Sequence, residues 1–222
     1  MSNENPQLLY VAGPNGAGKS TFSEELSNPG AIVFDVDKVI ARIEAQSPGM
    51  PKKKVYDTAT QEFFNQANAA VKQKQHFTLE TNFRDKELID IVAQFKRRGY
   101  TTNMIYLTLD SIEQSIYRVN KRVLNGGHFV DHKNIQLNYD EGLLYLERYA
   151  ASFDNLEIVD SSKDFSEFRS LLSIKQQELI FLSTNLPASV EQTIINIADR
   201  YRNNSRDKDN DEEQGWDYRR GR

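Results

Sequence analysis

The chain has 222 residues, 38% of them hydrophobic, with 12 phenylalanines, no cysteine and a formal net charge of −4. That is apolar material for one good-sized core; it excludes disulfides and thiolate metal sites, and the charge gives no general attraction to nucleic acid or anionic membrane. No apolar run reaches the ~18 residues of a membrane helix, and the start "MSNENPQ" is too polar for a signal peptide, so a cytoplasmic protein without a membrane partner is expected.

The first predicted element is the strand Leu8–Ala12, "LLYVA". It runs straight into "GPNGAGKST", whose spacing G-x-x-x-x-G-K-S defines a phosphate-binding P-loop. Gly13, Pro14, Asn15, Gly16, Ala17 and Gly18 form the turn, in which glycines at positive φ can aim several backbone N–H groups at one anion. Lys19 is placed for the β- and γ-phosphates of ATP, the Ser20 hydroxyl for Mg²⁺, and a helix opening at Thr21 adds its unpaired amides.

The second strand, Ala31–Phe34, ends in "VFDVDKV" and sets two carboxylates beyond a sheet edge where ligands bind in α/β proteins. Asp35 is read as the strand end or the cap of a helix starting near Lys38, and Asp37 as the base that takes a proton from an acceptor hydroxyl. A helix follows over Val55–Gln75, with Ala59, Phe63, Ala67, Ala70 and Val71 on one face. The third strand, Phe77–Glu80, leads into "ETNFRD": Glu80 and Thr81 would grip a polar small-molecule acceptor, while Arg84 would meet an anionic part of it or pair with Asp85 or Glu87.

A helix over Lys86–Arg98 stops at Gly99 in a C′ position. The strand Met104–Leu109 is followed by "DSIE", in which Asp110 has the spacing of an N-cap rather than of a Mg²⁺-holding acid. The helix Ser111–Leu124 carries Arg118 and Arg122 one turn apart before Gly126 and Gly127, the pattern of a lid closing on phosphates; His128 is a lid contact or an ordinary loop residue. The strand Leu156–Val159, a hairpin around "KQQE", for which a broken helix is the alternative, and a helix over Ala188–Tyr201 complete the fold, and residues 203–222 read as a disordered charged tail. Strands alternating with helices give an α/β P-loop NTPase fold: a mostly parallel five-stranded sheet with helices on both faces, plus a C-terminal hairpin and helix, forming a single domain over residues 1–202.

"AGPNGAGKST", "VFDVDKV", "LETNFRD" and "RVNKRVLNGGHFV", in this order over Leu8–Ser162, resemble the zeta-toxin-like P-loop kinases. Zeta toxins use ATP to phosphorylate the 3′-hydroxyl of UDP-N-acetylglucosamine. The resemblance therefore implies a kinase with Lys19 and Ser20 on nucleotide and Mg²⁺, Asp37 as base, Glu80 and Thr81 at the acceptor, Arg118 and Arg122 as lid arginines, and an antitoxin protein as partner. Two departures stand out: Asp131 where relatives have proline, and Asn138 where they have an arginine, which takes a cation away from the expected γ-phosphate site. Asp160-Ser161-Ser162 replaces an aspartate–asparagine–serine ending. Two other classes stay open: a regulatory nucleotide-binding protein with little turnover, and a nucleic-acid end kinase, which the acidic balance disfavours.

Overall fold

A computed structural model describes residues 5–127, 129–163 and 168–203. The elements run β1 (Gln7–Ala12), α1 (Lys19–Leu26), β2 (Ile32–Asp35), α2 (Val36–Gln46), α3 (Lys52–Gln73), β3 (Phe77–Thr81), α4 (Glu87–Arg97), β4 (Thr101–Thr108), α5 (Ile112–Leu124), α6 (His132–Tyr149), β5 (Asn155–Asp160), β6 (Arg169–Lys175) and β7 (Glu178–Leu182). A last helix, α7, covers residues 191–203. Position 128 and the tail from 204 onward lie outside the described residues, so the readings of His128 and of a disordered tail find no counterpart here.

The sheet has the order β2-β3-β1-β4-β5-β6-β7. The first five are parallel, as expected for strands joined by crossover helices, and β6 and β7 add on antiparallel as the predicted hairpin, extending the same sheet. Alternation along β1 feeds two cores. Leu8, Tyr10 and Ala12 face a cluster with Phe63 and Ala67 of α3, Ile91 and Phe95 of α4, Leu146 of α6, and Ile194 and Ile197 of α7. Leu9 and Val11 face Phe22 of α1, Leu107, Leu109 and Tyr139 of α6. A strand buried on both faces must be apolar throughout, which is why "LLYVA" reads as a continuous run rather than as an alternation.

Most predicted elements appear with ends shifted by a few residues. Helix α4 closes as expected around Gly99, at φ 82°: Gly99 N–H donates to Lys96 O (2.9 Å) and Tyr100 N–H to Phe95 O (3.1 Å), with the Phe95 and Tyr100 rings 4.7 Å apart. The cap of α5 is one residue later than the sequence suggested. Ser111, not Asp110, is the N-cap and accepts from Gln114 N–H at 3.3 Å, while Asp110 N–H donates to the Gln114 side chain. Helix α6 is an addition to the predicted set, and Asp131 caps it by accepting from Asn134 N–H (3.0 Å), so the residue standing where relatives have proline serves as a helix start.

Candidate functional site

The strand order makes β1 the neighbour of both β3 and β4, and the connection from β3 to β4 passes across it. The carboxyl ends of these strands therefore form the crevice in which open α/β sheets bind ligands. Parallel register sets Asp35 of β2 opposite Glu80 of β3, Glu80 opposite Val11 and Thr81 opposite Ala12, so three chain segments distant in sequence converge beside residues 13–18.

The loop has the geometry of an anion nest. Gly13, Gly16 and Gly18 take φ of 141°, 79° and 92°. Two of them are also required by space: a Cβ on Gly13 would lie 2.4 Å from Leu107 O, and one on Gly16 would lie 2.9 Å from Arg118 Cβ. Helix α1 begins at Lys19 behind Gly18, with no capping side chain and no acidic residue in its first turn, so its first amides and the positive end of its dipole serve the loop.

Lys19 folds back over this nest. Its ammonium donates to Gly13 O (2.9 Å), Pro14 O (3.1 Å) and Asn82 Oδ1 (2.9 Å). Burial pushes the ammonium below the usual lysine range, a shift opposed by the nearby carboxylates of Asp37, Glu80 and Asp35. Ser20 donates to Glu80 Oε2 at 2.9 Å, and Ser23, one turn on, donates to Glu80 Oε1. Glu80 is 4% exposed; burial raises its carboxyl above the ordinary range and Asp35 adds to the rise, while the hydrogen bonds from Ser23 and Ser20 oppose it. Asp35 caps α2 by accepting from Lys38 N–H (3.1 Å), as the sequence suggested, and Asp37 follows in the first turn of that helix. The Ser20 hydroxyl and the carboxylates of Asp35, Asp37 and Glu80 thus gather near Lys19. Ser20 Oγ with Glu80 next to it is an all-oxygen set of the kind Mg²⁺ takes through one or two protein groups.

A family model described as an AAA domain matches residues 8–139, the stretch from β1 into α6 that holds the loop, the lysine and the carboxylates. The chain belongs to this AAA-domain family. A Haemophilus influenzae protein, itself uncharacterized, is 26% identical over 133 residues, covering 60% of this chain and 92% of its own. The resemblance to zeta-toxin-like kinases holds at the level of the fold. A structure from the PezAT chromosomal toxin–antitoxin system of Streptococcus pneumoniae superposes with a TM-score of 0.59 at 15% identity, over 92% of this chain and 88% of that one. The AvrRxo1-ORF1:-ORF2 complex with ATP does so at 0.62 and 12% identity, over 87% of this chain and 64% of that one.

Within this AAA-domain chain the remaining predicted site residues fall in several places. Thr21 is exposed on the first turn of α1, and Ala17 is buried in the core, so both belong to the loop by backbone alone. The Thr81 hydroxyl accepts from Phe83 N–H (2.9 Å), bracing a turn in which the fully buried Phe83 takes φ 54° and Asn82 is turned toward Lys19. Arg84 pairs with neither Asp85 nor Glu87; its nearest acid is Glu141 of α6, at 3.9 Å. The two arginines of α5 part company. Arg118 Nη1 donates to Gly16 O (3.3 Å) and Ser161 O (2.8 Å), and Nη2 to Ser162 O (2.8 Å) and Lys163 O (3.1 Å), so its fork ties the P-loop to the end of β5. Arg122 is exposed one turn further, and its charge works against that of Lys19.

Asn138 is 5% exposed, beneath the loop, and its amide donates to Asn15 Oδ1 at 2.6 Å. The residues that sequence reasoning missed are Asn82, Ser23 and Ser115, which donates to Asn15 O at 2.5 Å. Ser115 had a signal, since it lies three residues before Arg118 on the same face of α5. Asn82 had the signal of its place in "ETNFRD" at a sheet edge, but its partner Lys19 depends on how β3 lies beside β1.

Proposed function

We propose that this protein is an ATP-dependent kinase that transfers the γ-phosphate to a hydroxyl of a small metabolite, with a nucleotide sugar such as UDP-N-acetylglucosamine as the first acceptor to test. The observation that carries the reading is the convergence of Lys19 and Ser20 with Asp35, Asp37 and Glu80 at one sheet edge. A carboxylate next to the loop, in reach of the transferred phosphate, can accept the proton of an acceptor alcohol, as phosphoryl transfer to a hydroxyl requires. Residues 13–18 bind the phosphates through backbone N–H groups, and Lys19 leaves its three oxygen acceptors to meet β/γ charge.

Ser20, with Glu80 beside it, would hold Mg²⁺, which neutralises charge on the β- and γ-phosphates. This moves Glu80 from the acceptor side to the metal side. Asp37 accepts the proton of the attacking hydroxyl, and Thr81 and Arg84 line the acceptor side. Arg122 neutralises the transferred phosphoryl group, and Arg118 keeps the loop in shape while it does so. The toxin–antitoxin system to which the Streptococcus pneumoniae neighbour belongs supports an antitoxin as partner, one that would cover the nucleotide site.

The test is to incubate the protein with γ-labelled ATP, Mg²⁺ and either UDP-N-acetylglucosamine or a bacterial metabolite extract, with Asp37→Ala as control. Label entering a small molecule only with the wild type supports the kinase. Label entering oligonucleotides instead would make it an end kinase, and ATP binding without transfer to anything would make it a regulatory nucleotide binder.

A further inference from the structure

When consecutive N–H groups of a loop turn inward around an anion, the carbonyls between them turn outward and need donors of their own. In this protein the donors for the outer side of residues 15 and 16 come from the two helices that follow β4. Ser115 of α5 donates to Asn15 O at 2.5 Å, Arg118 to Gly16 O at 3.3 Å, and Asn138 of α6 to the Asn15 side chain at 2.6 Å. Asn15 is 2% exposed, Ser115 fully buried and Asn138 5% exposed, so water competes for neither the Ser115 bond nor the Asn138 bond. Helix α6 comes this close because Gly142, one turn after Asn138, has no side chain: a Cβ there would lie 2.7 Å from Tyr106 Oη and 2.9 Å from Asn82 O. The same helix thus rests on both the loop and the turn that presents Asn82 to Lys19.

We infer that Asn138 and Ser115 are positioning residues for the phosphate site, acting through Asn15: they clamp the outer side of the loop so that its amides stay aimed inward before nucleotide arrives. The position where the zeta-like pattern expects a cation is thereby used as a neutral brace, and the arginine's absence is no defect in the binding step. A loop that is ordered beforehand binds without the cost of ordering. Loss of the clamp therefore appears mainly in nucleotide affinity, and a bond shared by Asn15 and Asn138 is lost once, whichever partner is removed.

The inference rests on the reading that the loop takes nucleotide phosphate, and the experiment separates the two. Mg·ATP affinity is measured by calorimetry, which needs no acceptor, for Asn15→Ala, Asn138→Ala, their double variant, Asn138→Ser, Ser115→Ala and Lys19→Ala, well below each melting temperature. About one lost hydrogen bond corresponds to roughly five- to tenfold weaker binding. The expected result is that factor for each asparagine variant and nearly the same factor for the double. Where an acceptor has been found, KM for ATP rises likewise in Asn138→Ala, and by a larger factor than kcat at saturating ATP falls. Asn138→Ser and Asn15→Ala approach the same bond from opposite sides should Asn138→Ala fold poorly. Unchanged affinity in the asparagine variants, or losses that multiply in the double, would overturn the brace while Lys19→Ala still abolishes binding. Full affinity in Lys19→Ala would instead overturn the nucleotide reading itself.

Discussion

Replacing Arg118 with alanine is the perturbation that most directly separates a lid arginine from a structural one. Its guanidinium donates to four carbonyls, Gly16 O, Ser161 O, Ser162 O and Lys163 O, at 3.3, 2.8, 2.8 and 3.1 Å. Hydrogen bonds to a charged group contribute about 1.5–3 kcal/mol each where water is excluded, but this side chain is only half-buried and some of its acceptors regain water on truncation. A total of about 2–4 kcal/mol is therefore expected, which for a domain of this size lowers Tm by roughly 5–15 °C. Affinity for Mg·ATP should fall as well, because the Gly16 end of the loop loses its tie to β5. Arg118→Lys should recover little, since one ammonium cannot span acceptors set out for a planar fork. Gln114 supplies an internal control: its amide also donates to Ser162 O, at 2.7 Å, so the double variant Arg118→Ala with Gln114→Ala should lose more than the sum of the singles once Ser162 O has no donor left. Differential scanning calorimetry with and without Mg·ATP measures both quantities. An Arg118→Ala protein melting within about 1 °C of wild type, with ATP affinity intact, would refute the clamp.

Arg122→Ala should behave differently, lowering kcat/KM by roughly 10²-fold or more with a smaller Tm shift than Arg118→Ala, as steady-state kinetics and melting curves would show. Asp37→Asn should keep ATP affinity and lower kcat by about 10²-fold, the scale of general-base removal; full activity would move the base to another residue. Gly13→Ala should fold poorly or lose ATP binding, because its Cβ would lie 2.4 Å from Leu107 O at a φ of 141°; expression level and calorimetry check this. Asp154 contributes to acid stability: burial works to raise its carboxyl, but hydrogen bonds from Lys96 (2.7 Å) and from the Thr102 N–H (2.8 Å) and hydroxyl (2.9 Å) bring it below the ordinary range. A depressed folded pKa means stability that is complete above the unfolded value, near 3.9, and lost as pH falls through the folded one, so Asp154→Asn should flatten the decline in Tm below about pH 4.

The local sequence determined those features whose causes are local. "GPNGAGKST" specifies its loop because glycine alone takes the required φ values at no steric cost and a lysine and hydroxyl must follow at fixed offsets; Asp35 as a cap and Gly99 as a helix stop follow from the same short-range rules. The five parallel strands and the hairpin were legible from apolar runs and their punctuation. Helix α6 lies outside the predicted set, although Ile135, Tyr139, Gly142 and Leu146, all buried, repeat at helical spacing. What only the tertiary structure decided is which long-range partners meet. Glu80 became a partner of Ser20, at 2.9 Å, because β3 lies beside β1, a pairing that no spacing rule announces across 60 residues. Asn82 reaches Lys19 through the strained turn at Phe83, and Arg118 and Asn138 face the loop's outer side because α5 and α6 fold against it after β4. Sequence fixes which donors and acceptors exist and the local curve of the chain; strand order and helix approach decide which of them are close enough to bond, and that depends on the whole core at once.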